Sequence, residues 1–316
     1  MKCYLCGQNR FRILSHKLRY GEQRKVLQCE HCSLTVLEPK QEKLQDYYAD
    51  DYRKLYTPII GEATTSRQIF EMYLPFQQRR VQGLKSVISP SMRVLEIGCS
   101  AGHFLYSMKP FVKECIGIEF NKKDAEFVNR ELGIQTYTDP IERTDISERS
   151  FDFIAVLQVL EHMDEPLPFL STVSRYLKPG GYLCLEVPNV DEALLSVYNI
   201  PSYKDFYFKE PHNFYYSPKT LKMLTEKAGF HGEIKSIQRF SLMNHLNWTL
   251  TGKPQKRADH AMSAPVLVSA EGVDPALRDE LNQWANQIDR EYKAILNRHL
   301  IGESVWFLGK HSSDGL

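Results

Sequence analysis

The chain has 316 residues, 42% of them hydrophobic, enough for one large domain and a small one. A formal net charge of +1 excludes bulk attraction to polyanions, and no apolar run approaches the length of a membrane span. The N-terminal Met-Lys-Cys-Tyr-Leu-Cys is unlike a signal peptide, so a cytoplasmic chain is expected, and seven cysteines there read as thiols or metal ligands rather than disulfides.

Four of those cysteines come first, as Cys3-x-x-Cys6 and Cys29-x-x-Cys32. Each pair presents two thiolates from one tight turn, and zinc takes four soft ligands in a tetrahedron. Four protein ligands close the shell, which makes the expected metal structural rather than catalytic. Between the pairs, Arg12–Leu14 and Lys25–Gln28 are predicted as the strands of a short antiparallel ribbon, turning near Tyr20-Gly-Glu22. A unit this small buries too little surface alone, so metal binding would supply folding free energy. Farther along, Ile69, Met72, Tyr73, Phe76 and Val81 fall near helical spacing and predict an amphipathic bridge to the next domain.

Arg93-Val-Leu-Glu-Ile-Gly-Cys-Ser-Ala-Gly-His-Phe104 joins a strand-like run to a helical pattern through Gly98 and Gly102. Small residues there let the backbone approach a ligand closely. The next apolar run, Cys115–Ile118, delivers Glu119, the usual position of an acceptor for a ribose diol. The spacing departs from the G-x-G-x-x-G of dinucleotide sites. It reads Glu96-x-Gly98-x-x-x-Gly102, and a carboxylate in the loop would repel a pyrophosphate but suit an amine or a sulfonium. A helix is predicted over Asp124–Leu132, stopped by Gly133. An acidic stretch from Asp139 precedes a fully apolar strand, Phe151–Leu157, and then a helical Gln158-Val-Leu-Glu-His162 with a turn into a helix at Glu165-Pro166. Leu177-Lys-Pro-Gly-Gly181 leads into the strand Tyr182–Val187. Strands alternating with helices predict a parallel, doubly wound α/β sheet.

In this order, Val94–Phe104, Gly117-Ile-Glu119, Phe151–Ile154 with Leu160-Glu-His162, and Leu177–Tyr182 resemble class I S-adenosylmethionine-dependent methyltransferases, over about half of the chain, Arg93 to Phe240. Ser100 stands where that family usually has glycine. The resemblance implies a Rossmann-like seven-stranded sheet with its last strand antiparallel. It also implies a donor site drawn from Glu96, Gly98, Cys99, Ser100, Gly102, Phe104, Glu119, Phe120, Asp139 and Gln158. It further implies a helix that covers the cofactor, with Tyr47, Tyr48 and Tyr52 either packed in the core, the expected role, or lining the pocket. The expected organisation is a zinc ribbon over 1–40, a helical bridge or lid over 41–90, and the methyltransferase domain over 91–316. Cys99, Cys115 and Cys184 are expected as packed thiols. Gln28–Pro39 and Tyr47–Tyr52 resemble the zinc-ribbon enzymes that methylate sugars, lipids or secondary metabolites in biosynthetic clusters.

An aromatic insert, 189–217, follows the fifth strand where loops line the ligand crevice. Most of its rings are expected to pack the insert to the core. It carries His212, and His162 lies after the fourth strand. Either can serve as the general base that removes the acceptor's proton. His103, on the helix after the loop, is expected to pack or to touch the donor's carboxylate. A helix is predicted from Ser217-Pro218 to Ala228. Glu233–Gln238 and Ser304–Leu308 read as the closing strands, separated by a second insert, 241–303. Gly252–Glu271 within it reads as a polar excursion whose Lys253, Lys256 and Arg257 form a solvated basic loop. Leu277, Leu281, Trp284, Ile288, Tyr292 and Ile295 form one apolar stripe on a helix starting at Pro275, to pack on the chain or on a second copy of it.

The expected activity is methyl transfer from S-adenosylmethionine to a hydroxyl or amine of a small molecule, a sugar, polysaccharide or natural-product precursor, nucleotide-linked or lipid-linked, by a monomer or homodimer. An RNA methyltransferase would call for a basic face and an Asn-Pro-Pro-Tyr-like motif, and neither is present. A non-catalytic scaffold would have degraded donor residues, whereas Glu96, Gly98, Gly102 and Glu119 are intact.

Overall fold

The computed structural model of the protein describes residues 1–39, 59–60 and 62–312. Tyr47, Tyr48 and Tyr52 lie outside the described residues. Among the described residues, eleven strands form two sheets. The larger has seven, in the order β10 (Phe230–Ile237), β11 (Ser304–His311), β8 (Leu177–Pro188), β7 (Phe151–Leu157), β4 (Arg93–Ile97), β5 (Glu114–Ile118) and β6 (Gln135–Tyr137). The five strands from β8 to β6 run parallel, and β11 is antiparallel to both neighbours.

Alternation along each strand explains how both faces are covered. Leu95 and Ile97 join Ile116, Ile118, Ile154 and Val156 in one cluster, while Val94 joins Cys115, Phe153, Ala155 and Cys184 in the other. Helices close each face. Lys122–Glu131 starts at Asn121, whose side chain accepts from the amides of Lys123 and Asp124. Pro218–Lys227 starts at a reciprocal Ser217–Thr220 capping box. The order reverses at β4, since β5 and β6 extend one way and β7 and β8 the other. The crevice beyond the carboxyl ends of β4 and β7 is therefore the natural ligand site.

The second sheet is antiparallel, in the order β1 (Phe11–Lys17), β2 (Gln23–Cys29), β3 (Thr35–Leu37) and β9 (Phe214–Tyr215). The first three strands are the cysteine ribbon, and the fourth belongs to the aromatic insert. Cys3, Leu5, Cys29, Cys32, Leu34 and Val36 are continuous with the core on one face of the large sheet.

One expectation is corrected. The segment after β7 is a 3-10 turn, Leu160–His162, rather than an α-helix, because Gln158 takes a left-handed φ of 59° and ends the strand sharply. The aromatic insert holds two helices, Ala193–Ser196 and Pro201–Tyr207. The apolar stripe of the helix Pro275–Arg298 faces out over much of its length: Leu277, Leu281, Trp284 and Ile295 are exposed. That helix instead buries Ala285, Asp289, Lys293 and Leu296, with Lys293 paired to Asp289 at 2.7 Å and Asp289 accepting from the Leu242 amide.

Candidate functional site

The loop after β4 is built on its own backbone. The amides of Gly98 and Cys99 donate to the Ile118 carbonyl at 2.7 and 3.1 Å. Gly98, Ser100 and Gly102 all take left-handed φ values, 75°, 48° and 76°. A Cβ on Gly98 would lie 2.3 Å from Val159 Cγ2, and one on Gly102 would lie 2.8 Å from Val128 Cγ2. Ser100 holds its left-handed turn at a cost of about 1–2 kcal/mol. What it gains is placement, because its amide donates to Glu119 Oε2 at 2.8 Å. The Asn121 amide donates to Glu119 Oε1, so one carboxylate ties the loop to the start of the next helix.

Glu96 sits at the end of β4, 3% exposed, with Oε2 lacking a hydrogen-bond partner among the described residues. Burial raises its pKa well above the usual carboxylate range against the pull of Arg80. An unpartnered carboxyl oxygen, a cradle that a Cβ would fill, and a diol acceptor at Glu119 together fit a cationic adenosine-type donor. The remaining residues expected there are spread along the same carboxyl edge. Phe120 is exposed beside Glu119, Asp139 is exposed after β6, and Gln158 follows β7, donating to Glu186 Oε1 at 3.3 Å. Cys99 is buried in the loop, and the Phe104 side chain is wholly within the core.

Beneath this edge lies an ionic network that no spacing in the sequence announced. Arg80 Nε and Nη2 each donate to Glu186 at 2.8 Å, and Arg239 bonds Glu303 at 2.6 Å and reaches Glu186 at 3.4 Å. Burial opposes the charge of Glu186, but the two guanidiniums bring its pKa to about 2. The one available signal was Glu186 itself, a charge in an otherwise apolar strand, which demands a partner. His103 faces Arg80 and Arg239. Burial and those two cations press its pKa to about 3, and Nδ1 has no partner among the described residues.

The turn after β7 and the aromatic insert bring a second group together. His162 and His212 pack edge to face with centroids 4.7 Å apart, and their ring nitrogens and the Glu161 carboxylate lie within 4.8 Å of one another. Glu161 and His212 are 1% and 2% exposed. Neither oxygen of Glu161, nor Nδ1 of His212, nor the hydroxyls of Tyr207 and Tyr216 has a hydrogen-bond partner among the described residues. Burial raises Glu161 to about 8 and lowers His162 to about 3. His212 is driven well below its usual value by burial, then by Lys209 and His162. Glu161, Tyr207 and Tyr216 went unassigned in the sequence because a motif gives neighbours along the chain and not across it.

Cys3 Sγ and Cys32 Sγ are 3.5 Å apart and Cys6 Sγ and Cys29 Sγ 3.6 Å, with all four within 4.8 Å. A tetrahedron of Zn–S bonds about 2.3 Å long separates its sulfurs by about 3.8 Å, so the set fits that ion. Cys99, Cys115 and Cys184 are free buried thiols.

The fold and the loop define a doubly wound α/β enzyme with an adenosine-type ligand edge, and the comparisons narrow that class. Residues 72–233 match the family model described as a methyltransferase domain. The chain belongs to this family and is an S-adenosylmethionine-dependent methyltransferase. It is 30% identical over 158 residues to an uncharacterized protein of Methanocaldococcus jannaschii, covering 50% of this chain and 73% of that one. It is 24% identical over 147 residues to a ubiquinone biosynthesis O-methyltransferase of Vibrio cholerae, covering 44% of this chain and 58% of that enzyme. A solved S-adenosylmethionine-dependent methyltransferase of Archaeoglobus fulgidus is 21% identical with a TM-score of 0.48, covering 76% of this chain and 94% of that one. Among the described residues no helix is long and apolar enough to cross a membrane.

Proposed function

We propose that the protein transfers the methyl group of S-adenosylmethionine to a hydroxyl or amine of a small molecule, a sugar or natural-product precursor, with His212 as the general base. The observation that carries this is the buried Nδ1 of His212, without a hydrogen-bond partner among the described residues, beside His162 and Glu161 at the carboxyl edge that holds the donor loop. The resemblance of the Vibrio enzyme, named an O-methyltransferase, supports a hydroxyl.

When bound, the donor supplies an electrophilic methyl on a sulfonium. Glu119 would accept from the ribose diol, Glu96 would offer its carboxyl to the cationic end, and Gly98 and Gly102 would let the backbone approach the ligand closely. His212 takes the acceptor's proton as its oxygen or nitrogen attacks, and burial keeps that imidazole free of a proton beforehand. His162, its ring set against His212, fixes the orientation of the base. The insert's aromatic walls exclude water. Cys3, Cys6, Cys29 and Cys32 hold a structural zinc ion.

Label transfer from methyl-tritiated donor into the small-molecule fraction of a cell extract tests this. His212→Asn is expected to reduce incorporation by about 100-fold or more with donor affinity unchanged. A variant that keeps half the wild-type rate removes His212 from the chemistry.

A further inference from the structure

The ribbon holds the segment that carries His212. Thr35 pairs with Tyr215 and Val36 with Phe214 across β3 and β9, and the Leu37 amide donates to the Asn213 carbonyl at 3.0 Å. Arg24 on β2 is buried. Its Nε donates to the Glu38 carbonyl at 2.7 Å and its Nη1 to the Glu210 carbonyl at 3.3 Å, two residues before His212. The Arg19 amide donates to the Phe208 carbonyl, and its guanidinium lies 3.5 Å over the Phe206 ring. On the opposite side, Asn213 Nδ2 donates to the His162 carbonyl at 3.0 Å and to Asp164 at 2.9 Å. Residues 206–216 are thus clamped between the ribbon and the turn after β7. The two-residue strand β9 takes its register from β3 on one side, while the adjoining Tyr216 carbonyl accepts from the Val190 amide at 2.9 Å on the other. The two ends of the ribbon, Cys3–Cys6 and Cys29–Cys32, meet only at the four-thiol cluster, so a metal held there ties them together. Among the described residues the donor loop draws its hydrogen bonds from Ile118, Glu119 and itself and none from the ribbon.

We propose that the ribbon is a working part of the acceptor site. Arg24 and the β3 edge, Thr35–Leu37, are positioning residues for His212, and occupancy of the four-cysteine metal site sets the acceptor geometry while leaving the donor site intact. This rests on the reading of His212 as the base and of the cysteines as a zinc site.

Hydrogen exchange on the full chain, with donor affinity measured in parallel, tests it without any acceptor. Stripping zinc with a mercurial reagent is expected to speed exchange of the 208–216 amides by at least about tenfold. Strands β4 and β7 stay protected, and the dissociation constant for S-adenosylmethionine changes less than about twofold. In zinc-loaded protein, Arg24→Met is expected to loosen the same amides and lower the rate of label transfer, with the KM for donor unchanged. Arg24→Lys should restore part of both. The proposal is overturned if 208–216 exchanges equally with and without zinc, if β4 opens together with it, if donor affinity falls in step, or if the purified chain carries no zinc. Should His212→Asn stay active while the insert still loosens on zinc removal, the base assignment fails and the coupling stands.

Discussion

Glu161 and His162, just beyond the end of β7, and His212 set how the site responds to pH. His162 sits near 3 in the folded chain against an ordinary 6.5, so the unfolded chain binds the extra proton and stability falls as pH drops below 6.5. Glu161 sits near 8 against an ordinary 4.5, so the folded chain holds the extra proton and stability falls as pH rises from 4.5 to 8. His212 adds a second slope of the histidine sign. Above 6.5 Glu192, which burial also raises to about 8, adds to the decline, while Lys209, lowered to about 7 by burial, opposes it. Glu161→Gln is expected to remove only the share of Glu161, so that the gap between the denaturation midpoints of the two proteins changes steadily between pH 4.5 and 8. Parallel curves for the two proteins across that range would mean that Glu161 is solvated and charged. Ser100 teaches the complementary lesson at this scale. The family's glycine position tolerates a side chain because its amide, not its Cβ, faces Glu119.

At the scale of elements, the parallel strands and their helices were legible because each is a short apolar run bounded by Gly, Pro or a capping residue. The closing strands were legible too, even with 241–303 between them. The third ribbon strand and β9 were not, since three residues and two residues leave no periodicity to read. The expected donor residues lie close along the chain, most of them in the loop after β4 and the end of β5, so their shared edge was legible. The acceptor group could not be completed, because Glu161 and His212 meet only through the insert. The helix Pro275–Arg298 turns much of its apolar stripe outward and buries Ala285, Leu296 and the Asp289–Lys293 pair, so that of the two neighbours expected for the stripe this chain supplies little. Trp284→Ser is therefore expected to change unfolding free energy by less than about 0.5 kcal/mol, and Leu296→Ala to cost about 2–4 kcal/mol, read from urea titrations. A large loss at Trp284 would show that its face is covered in solution.

For the whole molecule, the ribbon, insert and large sheet share one core, so donor capture and acceptor geometry are separable only at the level of hydrogen bonds. The loop after β4 answers to Glu119, and His212 answers to β3 and the turn after β7. Titration calorimetry reads the donor half directly. S-adenosylmethionine is expected to bind and NAD not to, Glu119→Ala to weaken the donor by about tenfold or more through lost diol contacts, and His212→Asn to bind it as the wild type does. Tight binding of NAD, or a Glu119→Ala variant with undiminished affinity for S-adenosylmethionine, would contradict these expectations.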